Sequence, residues 1–226
     1  MPENLKNQVK HMPVTIAIIV ICCIVFIVSL LLEGPAKRTY SMYALSLHTY
    51  NWHMYSTFFM SFITSMFMHG SAMHIMCNMV SLYYLGSMLE RLFGSVRFAI
   101  LYFASGLAGG VATILYQFFT GNISWTVGAS GAIFGLFGAY GILLFIEYRK
   151  PLVLSRESAK RSLSSFGGLL AVNIAISFMP GIAGAAHFGG LFMGCIIGAI
   201  YCCILRKKAR SLMENHNQND PMYWRG

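Results

Sequence analysis

The chain has 226 residues, of which 57% are hydrophobic and 10% are charged, whereas a soluble domain usually has about 25% charged residues. Too few charges remain to cover a water-exposed globule, and the apolar composition excludes a disordered chain. The excess of 16 Lys and Arg over 7 Asp and Glu would suggest a nucleic-acid partner in a soluble protein. We therefore expect one polytopic membrane domain, in which the charges must first be located.

Six apolar stretches predict membrane-spanning helices, each of which needs about 20 residues. They lie at 12–32, 71–90, 96–119, 127–146, 163–179 and 185–205. The fifth is short and is weakened by Gly168 and Asn173. In the long loop at 33–70, the apolar stretch at 57–68 is too short to span and indicates an interfacial or re-entrant segment. The predicted fold is an all-α bundle of six transmembrane helices with a long first outer loop.

With six spans, the positive charges fall almost entirely on one side of the membrane. Lys37 and Arg38 are the exceptions; the other Lys and Arg residues precede the first span or follow the second, fourth and sixth. The positive-inside rule then predicts that both termini are cytoplasmic. Topology thus explains the charge, and no nucleic-acid partner is expected. We expect a multi-pass protein of the bacterial plasma membrane, with a cytoplasmic segment at 1–11, a membrane domain at 12–205 and a basic, disordered tail at 206–226.

Polar residues inside the predicted spans are the candidates for function, because no Asp, Glu, Lys or Arg lies deep within a span. His74 and Asn78 are four residues apart and share a face of the second span. Ser130 and His187 lie near the starts of the fourth and sixth. Since these three spans run inward from the outer surface, at about 1.5 Å per residue, the four side chains are expected in one shallow layer.

Small residues repeat every four positions on the fourth and sixth spans, a pattern that lets helix backbones approach closely in lipid. The two series are Gly131, Gly135, Ala139 and Ala186, Gly190, Gly194, Gly198. Ser130 and His187 each adjoin the first residue of a series. Close packing of the two helices would therefore bring the Ser130 hydroxyl within reach of the imidazole.

A serine beside a neutral histidine is suited to acyl transfer, because the histidine can take the hydroxyl proton. No carboxylate is placed to orient the histidine, since Glu33 lies in the first loop and Glu90 and Glu147 lie at the cytoplasmic end. The sequence therefore predicts a dyad. Asn78, His74 and the Ser130 backbone N–H could donate hydrogen bonds to an oxyanion. The cysteine spacings fit no zinc site, and neither a metal nor a cofactor is expected.

At these residues the sequence resembles the rhomboid family of intramembrane serine proteases, over about residues 64–194. The run from Gly128 to Gly131 is similar to the family's G-x-S-G motif, and His74 with Asn78 is similar to its H-x-x-x-N motif. The resemblance implies that Ser130 is the nucleophile and that His74 and Asn78 form the oxyanion hole.

The sixth span resembles the family's A-H-x-x-G-x-x-x-G motif through His187, Gly190 and Gly194. This resemblance implies that His187 is the base and that Phe134 supports its ring. It also implies substrates that are single-span membrane proteins, cleaved near the outer boundary of the lipid bilayer. The chain departs from the family where a Trp-Arg pair often precedes the second span, because residues 59–61 here are Phe-Met-Ser.

Two other functions remain open from the sequence. A small transporter would be expected to show internal repeats and polar groups near the midplane, and the chain shows neither pattern. A non-catalytic rhomboid-like protein that binds membrane clients usually lacks the serine or the histidine, and this chain has both. A soluble α/β-hydrolase is excluded, because position 132 is Ala where G-x-S-x-G requires Gly.

Overall fold

A computed structural model describes residues 12–45, 55–152 and 154–219, with only the backbone given for Tyr55 and 213–219. The helices are α1 (Pro13–Leu31), α2 (Gly34–Ser41), α3 (Tyr55–Thr64), α4 (Ala72–Ser81), α5 (Ser87–Phe93), α6 (Ser95–Thr120), α7 (Ser130–Arg149), α8 (Arg156–Ile176) and α9 (Gly184–Asn219). A 3₁₀ turn, Ser65–Phe67, follows α3, and a π-helical segment, Leu82–Gly86, joins α4 to α5. The predicted N-terminal segment at 1–11 and residues 220–226 of the predicted tail lie outside the described residues.

Four helices in the described part of the chain are long and apolar enough to cross a bilayer. They are α1, α6, α7 and the Gly184–Leu212 portion of α9, so the protein is a multi-pass helical membrane protein. The other two predicted spans also coincide with helices, at residues 72–93 and in α8. The first of these is interrupted by the π segment, and α8 carries charged residues in its first turns. The count of six spans therefore stays a prediction.

Several helix ends differ from those expected by three residues or more, among them the starts of α7 and α8 and the end of α9. Helix α7 begins at Ser130 and not at 127, because Gly128 has a φ of +124° that is incompatible with a helix. Helix α8 begins at Arg156 and not at 163, because the Ser155 side chain caps it by accepting a hydrogen bond from the Ser158 N–H at 3.2 Å. Helix α9 continues to Asn219, so the first part of the tail predicted to be disordered from 206 is helical.

Helix α7 lies at the centre of the bundle, with every residue from Gly131 to Ala139 buried. It crosses α9 with the two backbones in direct contact. A Cβ added at Gly190 or Gly194 would overlap the carbonyl oxygen of Gly131 or Gly135, respectively. The small residues of both helices thus face each other, and this crossing sets the position of the first turn of α9 against that of α7.

The buried Glu90 carboxylate ties the start of α1 to the junction of α5 and α6. One oxygen accepts from the Val14 N–H at 2.9 Å and from the Ser95 hydroxyl at 2.7 Å. The other carboxylate oxygen accepts hydrogen bonds from the Thr15 N–H at 2.8 Å and from the Thr15 hydroxyl at 2.7 Å. The carboxylate therefore satisfies two of the N–H groups that the first turn of a helix leaves unpaired.

At the opposite end, the segment before α7 is fixed by hydrogen bonds to the first loop and to α6. Leu45 and Thr126 exchange backbone hydrogen bonds of 3.0 and 2.8 Å. The Gly128 N–H donates to the Ser65 carbonyl at 2.8 Å, and the Gln117 side chain donates to the Ser124 carbonyl at 2.7 Å. These contacts hold the chain immediately before Ser130.

Candidate active site

Ser130 and His187 are in direct contact, at the first turns of α7 and α9. The Ser130 Oγ lies 2.9 Å from the His187 Nε2. Ser130 is half-buried and His187 is 7% exposed, so the pair lies below the surface without being sealed from it. Ser130 is also the first residue of α7, so its backbone N–H has no carbonyl within the helix to which it can donate a hydrogen bond.

The His187 ring is stacked on the buried Phe134, one turn after Ser130 on α7. The ring centroids are 4.1 Å apart and the two planes are inclined by only 6°. Such a stack restricts rotation of the imidazole about its side-chain torsions. Phe134 thus lies where the family resemblance implies a supporting aromatic ring.

His74 and Asn78, on α4, lie against Gly128. A Cβ added at Gly128 would be 2.7 Å from the His74 Nε2 and 3.4 Å from the Asn78 Nδ2. The Asn78 Nδ2 is buried and has no hydrogen-bond partner among the described residues. It is therefore a donor that a ligand oxygen could use. The Asn78 Nδ2 lies beside Gly128, two residues before Ser130, where it could stabilise a negative charge that develops next to Ser130.

His69 lies next to His74 in the segment before α4, with the two ring centroids 5.1 Å apart. Burial, followed in size by the neighbouring His74, lowers the pKa of His69 to about 4. His69 is therefore uncharged near neutral pH. Its Nδ1 lies 3.2 Å from the Phe67 carbonyl oxygen, which can only accept a hydrogen bond.

Sequence reasoning did not identify Ser177, the residue immediately after α8. Its Oγ lies 2.6 Å from the His187 Nδ1 and donates to the Asn173 carbonyl at 2.8 Å. In the sequence, Ser177 is one serine in an apolar stretch at the end of the fifth predicted span. No local signal distinguishes it from the exposed serines of the same helix.

An open cavity of about 630 Å³ connects these side chains, and it is lined mainly by α4, α7 and the end of α8. Ser130, His187, His74, Asn78 and Phe134 all contribute to its wall. Of the remaining predicted residues, Gly128 lies against His74 and Asn78, whereas Gly131, Gly190 and Gly194 lie in the contact between the α7 and α9 backbones. The structure therefore brings Ser130, His187, His74, Asn78 and Phe134 to one cavity, and the predicted glycines are placed as backbone and packing positions around it and deeper in the bundle.

Comparison with known proteins identifies the family of the chain. The family model described as "Rhomboid domain" matches residues 51–204, which is more than half of the chain. The matched region contains each residue of the candidate site, from His74 to Gly194.

Curated relatives are similar over most of the same region. The chain is 35% identical over 133 residues to "RHOMBOID-like protein 4" and 34% identical over 138 residues to "RHOMBOID-like protein 5", both of Arabidopsis thaliana. It is 27% identical over 157 residues to "Rhomboid protease AarA" of Providencia stuartii. These matches cover 59%, 61% and 63% of this chain. They span 32%, 42% and 56% of the respective relatives. Because the family model matches more than half of the chain, the chain belongs to the rhomboid family.

Proposed function

We propose that the chain is an intramembrane serine endopeptidase that cleaves membrane-spanning segments near the outer boundary of the bilayer. The observation that carries the proposal is the 2.9 Å contact between the Ser130 Oγ and the His187 Nε2, beside a cavity that can admit a peptide. A serine becomes an effective nucleophile only when a base takes its proton, and this contact supplies the base.

In the proposed reaction, the Ser130 oxygen attacks the carbonyl carbon of the scissile peptide bond while the His187 Nε2 takes the hydroxyl proton. The carbonyl oxygen becomes an oxyanion within reach of the Asn78 amide, the His74 ring and the Ser130 N–H. His187 then gives its proton to the leaving amine as the C–N bond breaks, which leaves an acyl ester on Ser130. Water, deprotonated by His187, hydrolyses this ester and restores the serine.

The site favours substrates whose helix unwinds easily near the cut. A peptide bond inside a helix is protected by its own hydrogen bonds and by neighbouring side chains. Ser130 lies in the wall of the cavity and not on an exposed surface. The substrate backbone therefore has to enter the cavity in an extended form to reach it. We expect small or helix-breaking residues in the substrate near the scissile bond.

Labelling with a serine-directed fluorophosphonate probe tests the proposal without knowledge of the natural substrate. We expect wild type to be labelled at Ser130, and Ser130→Ala and His187→Ala to lose labelling. Cleavage of a model single-span substrate in liposomes should fall by at least about a thousandfold in both variants, because nucleophile and base act as a unit. Ser124→Ala, an exposed serine just before α7, is the matched control and should behave as wild type.

Two results would contradict the proposal. Equal labelling of wild type and Ser130→Ala would exclude Ser130 as the nucleophile. A folded wild-type protein that neither reacts with the probe nor cleaves any model substrate would favour the non-catalytic client-binding protein.

A further inference from the structure

Ser177 is positioned to control the protonation pattern of His187. It is buried, with 4% of its surface exposed, and its Oγ lies 2.6 Å from the His187 Nδ1. The hydrogen bonds of the His187 ring in the described structure go to two hydroxyl groups, those of Ser130 and Ser177. The orientation of the imidazole therefore depends on which of these hydroxyls donates and which accepts.

A carbonyl oxygen determines the direction of the whole chain of hydrogen bonds. The Ser177 Oγ lies 2.8 Å from the Asn173 carbonyl oxygen, which has no proton to give. The single hydroxyl proton of Ser177 is thus used in this bond, so its oxygen presents a lone pair to His187. The Nδ1 must then carry the imidazole proton, and in the neutral ring the Nε2 is left as an acceptor for the Ser130 hydroxyl.

The backbone around Ser177 holds this hydroxyl in place. The Ser177 N–H donates to the Asn173 and Ile174 carbonyls at 3.1 and 3.0 Å, which continues the helical turn. The next residues fold back tightly, so that a Cβ added at Gly184 would be 2.6 Å from the Ser177 carbonyl oxygen. The end of α8 is thus pressed against the first turn of α9, which carries His187.

We propose that Ser177 is a positioning residue that selects the Nδ1-protonated form of His187, the task that a carboxylate performs in a Ser-His-Asp triad. The proposal rests on the proposed function for its catalytic consequence, but the hydrogen-bond direction can be measured separately. It also explains how a site that has no carboxylate among the described residues lining its cavity keeps its base in the reactive form.

Three variants test the inference. Ser177→Ala removes the acceptor, Ser177→Thr keeps the hydroxyl, and Ser165→Ala changes an exposed serine of α8 as a control. We expect Ser177→Ala to lower kcat by about tenfold, the effect of one orienting hydrogen bond, with KM unchanged. The rate of fluorophosphonate labelling should fall in parallel. Ser177→Thr should restore both rates, and Ser165→Ala should match wild type.

Nitrogen-15 spectra of the histidine ring provide a readout that does not need substrate. In wild type the His187 Nδ1 should be protonated and the Nε2 unprotonated, and Ser177→Ala should shift the ring towards the other tautomer. A wild-type spectrum with the proton on Nε2 would overturn the inference even if Ser177→Ala failed to fold. An unchanged kcat and unchanged spectrum in a folded Ser177→Ala would also overturn it, as would a folded Ser177→Thr no more active than Ser177→Ala.

Failure of the proposed function gives a different pattern. In that case the wild type is neither labelled nor able to cleave, yet its His187 ring is protonated at Nδ1 and Ser177→Ala loses this protonation. Such a result would contradict the proposed protease activity and support the assigned direction of the hydrogen bonds.

Discussion

Gly128 affects the candidate site in two ways, through its backbone conformation and through the absence of a side chain. Its φ of +124° is one that residues with a side chain rarely adopt, and this conformation ends the preceding segment so that α7 starts at Ser130. The absence of a side chain also leaves room for His74 and Asn78, which a Cβ would meet at 2.7 and 3.4 Å. One glycine therefore sets the position of Ser130, the candidate nucleophile, and leaves room for the candidate oxyanion donors.

Gly128→Ala should accordingly impair catalysis more than folding. The strained backbone should cost about 1–3 kcal/mol of unfolding free energy. Displacement of His74 and Asn78 should lower kcat by about a hundredfold, as loss of an oxyanion donor does elsewhere. Cleavage kinetics and thermal unfolding in detergent measure the two effects. Gly168→Ala, at a helical position with open space around it, is the control, and an equal loss of activity there would contradict the explanation.

At the scale of elements, the crossing of α7 and α9 positions the candidate catalytic pair. Backbone touches backbone at Gly190 and Gly194, so neither helix can shift along the other without a clash. Because His187 lies one turn before Gly190, a change in this crossing moves the imidazole relative to Ser130. The small residues thus act on the site through helix placement and not through contact with substrate.

Gly194→Ala should destabilise the bundle, because the added Cβ would overlap the Gly135 carbonyl oxygen, a backbone atom that cannot rotate away. We expect a loss of about 1–3 kcal/mol in the free energy of unfolding, as for other overpacked sites. Gly167→Ala, on α8 with nothing near its Cβ, should instead stabilise by about 0.5–1 kcal/mol. Unfolding by heat or denaturant in detergent compares them, and equal stability of the two variants would refute a steric role for Gly194.

At the scale of the whole molecule, the described basic residues other than Lys37 and Arg38 lie at the end of the bundle opposite the candidate site. Arg206 forms an ion pair with Glu147 at 2.5 Å and donates to the Lys150 carbonyl at 2.6 Å, next to the end of α7. Arg156 lies over the Tyr148 ring, 5.2 Å from its centroid. Ser130, by contrast, is at the start of α7, a full helix length away. This separation is consistent with the proposed orientation, in which the site faces the outer side and the basic end faces the cytoplasm.

Cysteine accessibility tests this orientation. In a background with the six native cysteines replaced, Asn122→Cys, in the connection before α7, should react with a membrane-impermeant maleimide in intact bacterial cells. Lys208→Cys, at the basic end, should react only after permeabilisation. Both positions are exposed, so a difference in labelling reports sidedness and not burial. Labelling of Lys208→Cys in intact cells would contradict cytoplasmic placement of the basic end.

The sequence alone located most of the helices and the polar residues among them. Hydropathy is a property of each stretch by itself, so the stretches that became α1, α6 and α7 could be recognised with ends within a few residues. Ser130, His187, His74 and Asn78 stood out because polar groups are costly in lipid and need a reason to be there. Their chemical types and spacing, together with the family resemblance, indicated which residues belong in one site.

Only the tertiary structure decided how those residues are held. The beginning of α7 at Ser130 depends on the conformation of Gly128 and its bond to Ser65, which joins segments far apart in the sequence. The stacking of Phe134 on His187 depends on the α7–α9 crossing. The role proposed for Ser177 depends on the tight turn into α9. A hydrogen bond needs two groups within about 3 Å and correctly oriented, and that relation between separate helices is not a property of either stretch of sequence.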